Sequence, residues 1–137
     1  MTEESLKRIE GGLGITLPQE YRDLMLARGA ELRKLDRETN GRLCKALEAS
    51  ANDVLILNCT ERKPGMGTSG AYPKWWETLW WETFVLLGTE GDGGYFCLRL
   101  DGIPGVWMIG SDDGGEPEKR FDSLAEFVDH CIALVRS

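Results

Sequence analysis

Three short apolar runs in the second half of the chain constrain its fold more than any other feature. They cover Thr83–Leu87, Gly94–Leu100 and Gly105–Ile109, and the gaps between them are short and rich in Gly, Asp and Pro. Such gaps form β-hairpins, and a hairpin joins antiparallel strands, because a parallel pair needs a crossover of roughly a dozen residues or more. The sequence therefore predicts an antiparallel β-meander.

Helical patterns come before the meander. A helix is predicted over residues 2–10, where Thr2 can act as the N-cap. Pro18 stands where a second helix can begin, and apolar residues follow it at helical spacing, with an interruption at Gly29. A further helical stretch is predicted over residues 40–50. We therefore expect the N-terminal part of the chain to be mainly helical.

The segment between these helices and the meander has a mixed pattern. Residues 53–58 are rich in β-branched and aliphatic side chains, which predicts a strand. Residues 60–74 contain three glycines and two prolines, so they are predicted to be a loop. The apolar residues within 75–81 recur at the spacing of one helical face, but the segment is long enough for only two turns.

The last element has the clearest signal. Ser123 and Glu126 form a capping box, in which each side chain satisfies a backbone N–H at the start of a helix. Apolar residues then follow on one stripe to the end of the chain, namely Leu124, Phe127, Val128, Cys131, Leu134 and Val135. This pattern predicts an amphipathic helix with that stripe buried.

The order of these elements indicates the fold class. Helices come first, then a strand, then the meander, then a helix, with no regular alternation of strands and helices. This order favours an α+β fold, in which an antiparallel or mixed sheet is flanked by N-terminal helices and a C-terminal helix. A length of 137 residues suits a single domain over residues 1–137.

The net charge of −7 is distributed unevenly. Residues 1–68 carry 11 Lys and Arg against 11 Asp and Glu, whereas residues 69–137 carry 5 against 12. An acidic half repels phosphate backbones, which argues against nucleic-acid binding. It favours a basic protein partner through complementary charge. The alternative is that the acidic loops only keep the protein soluble.

Little in the sequence points to catalysis, a metal or a cofactor. The cysteines Cys44, Cys59, Cys97 and Cys131 form no Cys-x-x-Cys pair, and His130 is the only histidine. A zinc site needs closely spaced ligands, so we interpret the cysteines as buried thiols. His130 is predicted to lie beside the buried stripe of the last helix. We expect no catalytic residue, no metal and no cofactor.

The N-terminal residues and the lengths of the apolar runs predict where in the cell the protein is found. Residues 1–10 are polar and charged, without the apolar segment of a signal peptide. The unbroken apolar runs are only a few residues long, whereas a membrane-spanning helix needs about 20. We therefore expect a cytoplasmic protein that does not enter the membrane.

Three glycine-rich loops are candidate binding sites. Residues 65–70 match G-x-G-x-x-G, but residues 58–64 separate them from the predicted strand, so nucleotide binding is disfavoured. Residues 88–94 read GTEGDGG, which fits a hairpin turn that presents Glu90 and Asp92. Residues 110–118 hold further acids, with spacing unlike that of a calcium loop.

Four tryptophans fall within seven residues, at positions 75, 76, 80 and 81. Adjacent residues diverge by about 100° on a helix and face opposite sides of a strand. At least one ring is therefore predicted to be partly exposed. Tryptophan is enriched in interface hot spots, but these rings could equally cover the edge of the core.

Two stretches read together resemble the SUKH superfamily, which includes the yeast cell-wall-synthesis regulator and many bacterial immunity proteins. The first is LKRIEGGLGITLPQEYRDLML (Leu6–Leu26), and the second runs from Phe84 to Leu134. The matching residues are Leu17, Pro18 and Tyr21 at the second helix, Gly88, Gly91, Asp92, Gly93 and Gly94 in the glycine loop, and Phe121 and Phe127 around the last helix. The Asn-Gly-Gly turn common in the family is replaced by ARGAELRKLDRET, so the resemblance leaves residues 27–82 uncovered.

The resemblance implies an α+β fold with a bent sheet, and a cytoplasmic, non-catalytic protein that binds and blocks a toxin, often a nuclease or deaminase. Our first hypothesis is an immunity-type module whose acidic loops 88–94 and 111–118 bind a basic toxin domain. The expected contact residues are Glu90, Asp92, Asp112, Asp113 and Glu116, with Trp75 and Trp76 as apolar anchors. The alternatives are a regulatory or scaffold protein of the cell-wall type, and a small-ligand-binding domain that uses loop 65–70.

Overall fold

The computed structural model describes residues 1–62, 82–90, 93–110 and 117–136. Its described elements are, in order, α1 (Glu3–Leu13), α2 (Gln19–Glu38), α3 (Leu43–Ala46), α4 (Ala51–Glu61), β1 (Phe84–Thr89), β2 (Gly94–Arg99), β3 (Val106–Gly110), β4 (Glu118–Phe121) and α5 (Leu124–Arg136). N-terminal helices, an antiparallel sheet and a C-terminal helix confirm the predicted α+β class.

The first two helices begin where the sequence predicts. The Thr2 hydroxyl accepts a hydrogen bond from the Ser5 backbone N–H at 3.1 Å, and Pro18 precedes the first residue of α2. The predicted interruption at Gly29 is wrong, since α2 continues through it. Gly29 is buried, and a Cβ there would collide with the backbone nitrogen of Met1. The glycine therefore permits a close approach of the N-terminus.

The region before the sheet differs from its prediction. Residues 53–58, predicted as a strand, belong to helix α4, where Ser50 is the N-cap and accepts from the Asp53 N–H at 3.2 Å. The predicted helix over 40–50 is reduced to the single turn of α3. Helix α4 packs against α1 and β1 through Ala51, Val54 and Asn58, and its opposite face is exposed. The helical period is obscured because the exposed face carries the apolar Ile56, which is 64% exposed, and the buried face carries the polar Asn58.

The described strands form a four-stranded antiparallel sheet in the order β1-β2-β3-β4, and no parallel pair occurs among them. Strand β4 was not predicted, because Glu118, Lys119 and Arg120 give it no apolar alternation. It lies at an edge of the sheet, where charged side chains discourage pairing with other chains. The register shifts between Leu86 and Gly88 and between Val106 and Trp107, and such irregularities bend a sheet locally.

Both faces of the sheet are buried. One face joins the helices in the main core, to which it contributes Val85, Leu87, Leu98 and Val106. The opposite face carries a second apolar cluster made of Phe84, Leu86, Tyr95, Cys97 and Ile109. The sheet is therefore a central layer, and its ends and edges are the parts available to a partner.

Candidate interaction surface

The two predicted acidic loops leave the sheet at the same end. The β1–β2 connection begins after Thr89 and finishes before Gly94, and the β3–β4 connection begins after Gly110. Gly94 and Gly110 are register partners, and Met108 pairs with Glu118 at the start of β4. The attachment points of both connections are therefore neighbours on adjacent strands.

Glu90 is the one predicted contact residue within the described part of the chain. Its N–H donates to the Gly94 carbonyl at 2.8 Å, and the Gly93 N–H donates to the Glu90 carbonyl at 3.2 Å. Gly93 has a φ of 92°, in the left-handed region that glycine adopts readily. These bonds confirm the predicted hairpin between the first two strands of the meander.

The remaining predicted contact residues lie outside the described residues, and they are Asp92, Asp112, Asp113, Glu116, Trp75 and Trp76. The glycine loop at 65–70, proposed above as an alternative ligand site, also lies outside them.

A groove of about 510 Å³ lies beside this end of the sheet. Its lining comes from α3, from the β1–β2 hairpin, from β2 and β4, and from α5. The residues are Lys45, Ala46, Thr89, Glu90, Phe96, Arg120, Phe121, His130 and Leu134. The Thr89 hydroxyl donates to the Lys45 carbonyl at 3.0 Å and so connects the hairpin to α3.

An aromatic cluster forms the floor of the groove. The ring of Phe127, fully buried on α5, lies 4.8 Å from the Phe96 ring and 5.3 Å from the Phe121 ring, measured between centroids. The His130 ring lies 5.1 Å from that of Phe121. His130 is exposed, as its predicted position beside the buried stripe requires. The tilted packing holds the half-buried rings in fixed positions.

Leu134 departs from its prediction. The stripe of α5 predicts that it is buried, but the side chain is 54% exposed. It lies on the groove and also on a second depression of about 170 Å³, which Arg42 and Ala46 help to line. The two depressions meet at Ala46 and Leu134. They form one surface, here called the α3–α5 groove.

The charge of the α3–α5 groove is opposite to that of the loops beside it. Arg42, Lys45 and Arg120 contribute cationic groups, and Glu90 contributes the carboxylate that lines it. Arg120 Nε is 3.3 Å from Glu118 Oε2. Sequence reasoning missed these cations as a group, because they come from segments that are far apart in the chain.

The described residues offer little for catalysis. Within them no group of three or more His, Cys, Asp or Glu side chains could hold a metal ion. Burial raises the pKa of the Cys97 thiol, and raises that of Cys131 to about 12, so both thiols stay protonated and unreactive at neutral pH. Cys59 is exposed, so its predicted burial is wrong.

A half-buried acid and a buried phenol lie apart from the groove. Burial, with smaller contributions from Asp53 and Asp36, raises the pKa of Glu48 to about 7. Burial and, to a smaller extent, the Glu48 charge raise the pKa of Tyr21, whose hydroxyl has no hydrogen-bond partner among the described residues.

The comparisons with known proteins identify a family. The model of the SMI1 / KNR4 family (SUKH-1) matches residues 1–130. Neither the curated proteins nor the solved structures gave a significant match. The match extends through residues 27–82, which the two quoted stretches left uncovered. In the part of the chain that is described, no helix is long and apolar enough to cross a membrane.

Proposed function

The chain belongs to the SMI1/KNR4 family (SUKH-1), and on that premise we propose that it is a non-catalytic, immunity-type module that binds and neutralises a toxin domain. The proposal includes a cytoplasmic location, where a toxin that has entered the cell would be met. It also includes a basic partner, recognised by the acidic connections of the sheet.

One observation carries the proposal, namely that the two acidic connections leave the same end of the sheet. The register pair Gly94 and Gly110 brings their attachment points together. Residues 88–94 and 111–118 contain six of the twelve acids of the C-terminal half, against no lysine or arginine. Five of these carboxylates belong to the two connections and the sixth, that of Glu118, begins β4, so this end of the sheet is expected to carry a strong local negative potential.

This potential suits recognition of a basic protein surface. Complementary charge speeds the encounter between partners and excludes partners of the wrong charge, and both effects weaken as salt rises. The apolar anchors of the proposal are Trp75 and Trp76, because buried tryptophans carry a large share of binding energy at interfaces.

The test first seeks a toxin domain among the products of the neighbouring genes, and then measures its affinity for this protein by titration calorimetry at low and high salt. The triple variant Asp92→Lys, Asp112→Lys and Asp113→Lys should weaken binding by at least about tenfold, since like charges across an interface cost several kcal/mol. The matched control is Glu4→Lys, Asp23→Lys and Glu38→Lys, which changes the net charge equally on exposed helical positions.

The results separate the proposal from its alternatives. Equal affinities for both triple variants would contradict recognition through the acidic loops. The absence of any toxin gene nearby, together with a stable complex with a protein of cell-wall synthesis, would favour the regulatory or scaffold alternative. A thermal shift with nucleotides or divalent ions would favour the ligand-binding alternative of loop 65–70.

A further inference from the structure

We propose that the α3–α5 groove is a second recognition site, which binds an acidic segment of a protein partner carrying one large apolar side chain. This site has the opposite charge preference to the acidic loops. It stands on its own geometry and does not require the partner to be a toxin.

The charge of the groove is the first support. Arg42, Lys45 and Arg120 line it together with Glu90, and Glu118 lies 3.3 Å from Arg120, so among the described residues three cationic groups face two carboxylates, in a chain whose net charge is −7. Lys45 is exposed on a one-turn helix, and among the described residues no carboxylate lies within ion-pair distance of its ammonium group. A partner carboxylate would supply that missing counter-charge.

The apolar part of the groove is the second support. Leu134 is 54% exposed at the junction of the two depressions, while half-buried Phe96 and Phe121 form the floor. The volume of about 510 Å³ falls within the range of roughly 300–1,000 Å³ typical of ligand pockets. The groove therefore has an apolar floor that can contact one large side chain, and cationic groups lie beside that floor.

The choice of occupant follows from the surroundings. A nucleic acid or an anionic membrane presents extended negative charge, which the carboxylates of Glu90 and Glu118 would repel. A second copy of this chain is disfavoured because two molecules, each with a net charge of −7, repel each other. A short acidic segment fits better, because its few carboxylates reach the cations while its apolar side chain enters the groove.

The test uses a fluorescent synthetic peptide of alternating Glu and Ser with one central Phe. One matched peptide replaces the Phe by Ser, and another replaces every Glu by Lys. Affinity is read by anisotropy, and the site by ¹⁵N chemical-shift mapping. We expect the acidic Phe peptide to bind more tightly than either matched peptide, with shifts concentrated at residues 43–46, 118–121 and 130–135.

Two variants and their controls test the two halves of the proposal. The double reversal Lys45→Glu and Arg120→Glu should raise the Kd at least about tenfold, as should Leu134→Ser, because each removes a central contact. The controls are Lys7→Glu with Lys34→Glu, and Leu26→Ser, where Leu26 is 44% exposed on α2. These should change the Kd less than about twofold, since they lie away from the groove.

Several outcomes would overturn the proposal: no binding of the acidic Phe peptide, equal binding of the Lys peptide, or shifts on another face. A dimer seen by light scattering and lost in Leu134→Ser would assign the groove to self-association instead. Reversal of Asp92, Asp112 and Asp113 should leave acidic-peptide binding intact or strengthen it. Failure of this proposal is therefore distinguishable from failure of toxin binding.

Discussion

Gly88 of β1 passes directly against the backbone of Ala46 in α3. A Cβ at position 88 would lie 2.8 Å from the Leu47 nitrogen and collide with the Ala46 carbonyl group. This approach places α3 beside the β1–β2 hairpin. Lys45 and Ala46 consequently form a wall of the groove that Glu90 also lines.

Substitution of Gly88 by alanine should therefore destabilise the fold, because the colliding atoms belong to backbone and cannot move aside cheaply. We expect a loss of at least about 2 kcal/mol in the free energy of unfolding, at the upper part of the range for overpacked cores. Urea unfolding followed by circular dichroism measures it. The control is Gly11→Ala in α1, where an added Cβ would meet nothing within 4 Å. This substitution should raise the free energy of unfolding by about 0.5–1 kcal/mol, because alanine is favoured over glycine inside a helix. A neutral Gly88→Ala would contradict the tight crossing.

Strand β1 lies at an edge of the sheet, and the Asn58 side chain makes hydrogen bonds there that a neighbouring strand would otherwise make. The side-chain amide of Asn58 donates to the Leu86 carbonyl at 3.0 Å and accepts from the Leu86 N–H at 2.8 Å. Asn58→Leu leaves both backbone groups buried without partners, and each such group costs about 1–3 kcal/mol. We expect a total loss of about 2–5 kcal/mol in unfolding experiments, whereas Cys59→Ser on the exposed side of α4 should change stability by less than about 0.5 kcal/mol. Equal stabilities of the two variants would show that the edge pairing contributes nothing.

Glu48 should make stability depend on pH. Its pKa is raised to about 7 in the folded state from an ordinary value of 4.5, chiefly by burial. The unfolded state therefore loses this proton first, and stability falls as pH rises from about 4.5 to about 7. The slope should stay below the limit of about 1.4 kcal/mol per pH unit, because solvent screens a half-buried group.

The comparison of Glu48→Gln with wild type isolates this effect. The variant should unfold at a higher urea concentration than wild type at pH 8, and the difference should shrink towards pH 4.5. Glu4→Gln, on the exposed first turn of α1, provides the control and should follow wild type across the range. A constant difference between Glu48→Gln and wild type at every pH would refute the titration.

The cysteines should differ in reactivity. Cys59 is exposed, whereas Cys97 and Cys131 are buried and their thiol pKa values are raised. We expect iodoacetamide to label Cys59 in the native protein and to reach Cys97 and Cys131 only after unfolding, since the thiolate is the reactive form. Peptide mapping by mass spectrometry reads each site. Native labelling of Cys131 at the rate of Cys59 would contradict the packing of α5.

The elements predicted correctly are those with local signals. The short Gly-rich gaps determine the meander, and the Ser123–Glu126 capping box determines where α5 begins, with Ser123 Oγ accepting from the Glu126 N–H at 3.2 Å. These signals depend only on nearby residues, so tertiary packing has little opportunity to override them.

The errors arise where packing overrides the local pattern. The consecutive residues Val54–Leu57 favour a strand, but they belong to α4, where Ile56 is 64% exposed and Asn58 is buried against β1. Strand β4 pairs with β3 despite its charges because it is an edge strand. Leu134 continues the stripe of α5 beyond the area that its neighbours cover.

The site was predictable only in part. The acids of the two loops are visible in the sequence, but their common origin depends on the pairing of Gly94 with Gly110. The α3–α5 groove was not predictable, because tertiary packing brings Lys45, Arg120 and Leu134 together from positions up to about ninety residues apart. The crossing of β1 and α3 at Gly88 and the packing of α3 and β4 on α5 both contribute to it.

Amide hydrogen exchange of this protein, with and without a toxin domain found among the products of the neighbouring genes, tests the central claim most directly. We predict that binding slows exchange at residues 88–94 and 110–121, at the acidic end of the sheet, while α1 and the outer face of α2 remain unchanged. Protection confined to α1 and α2, or a complete lack of protection with toxin present at saturating concentration, would contradict the claim that this module acts by binding through that end.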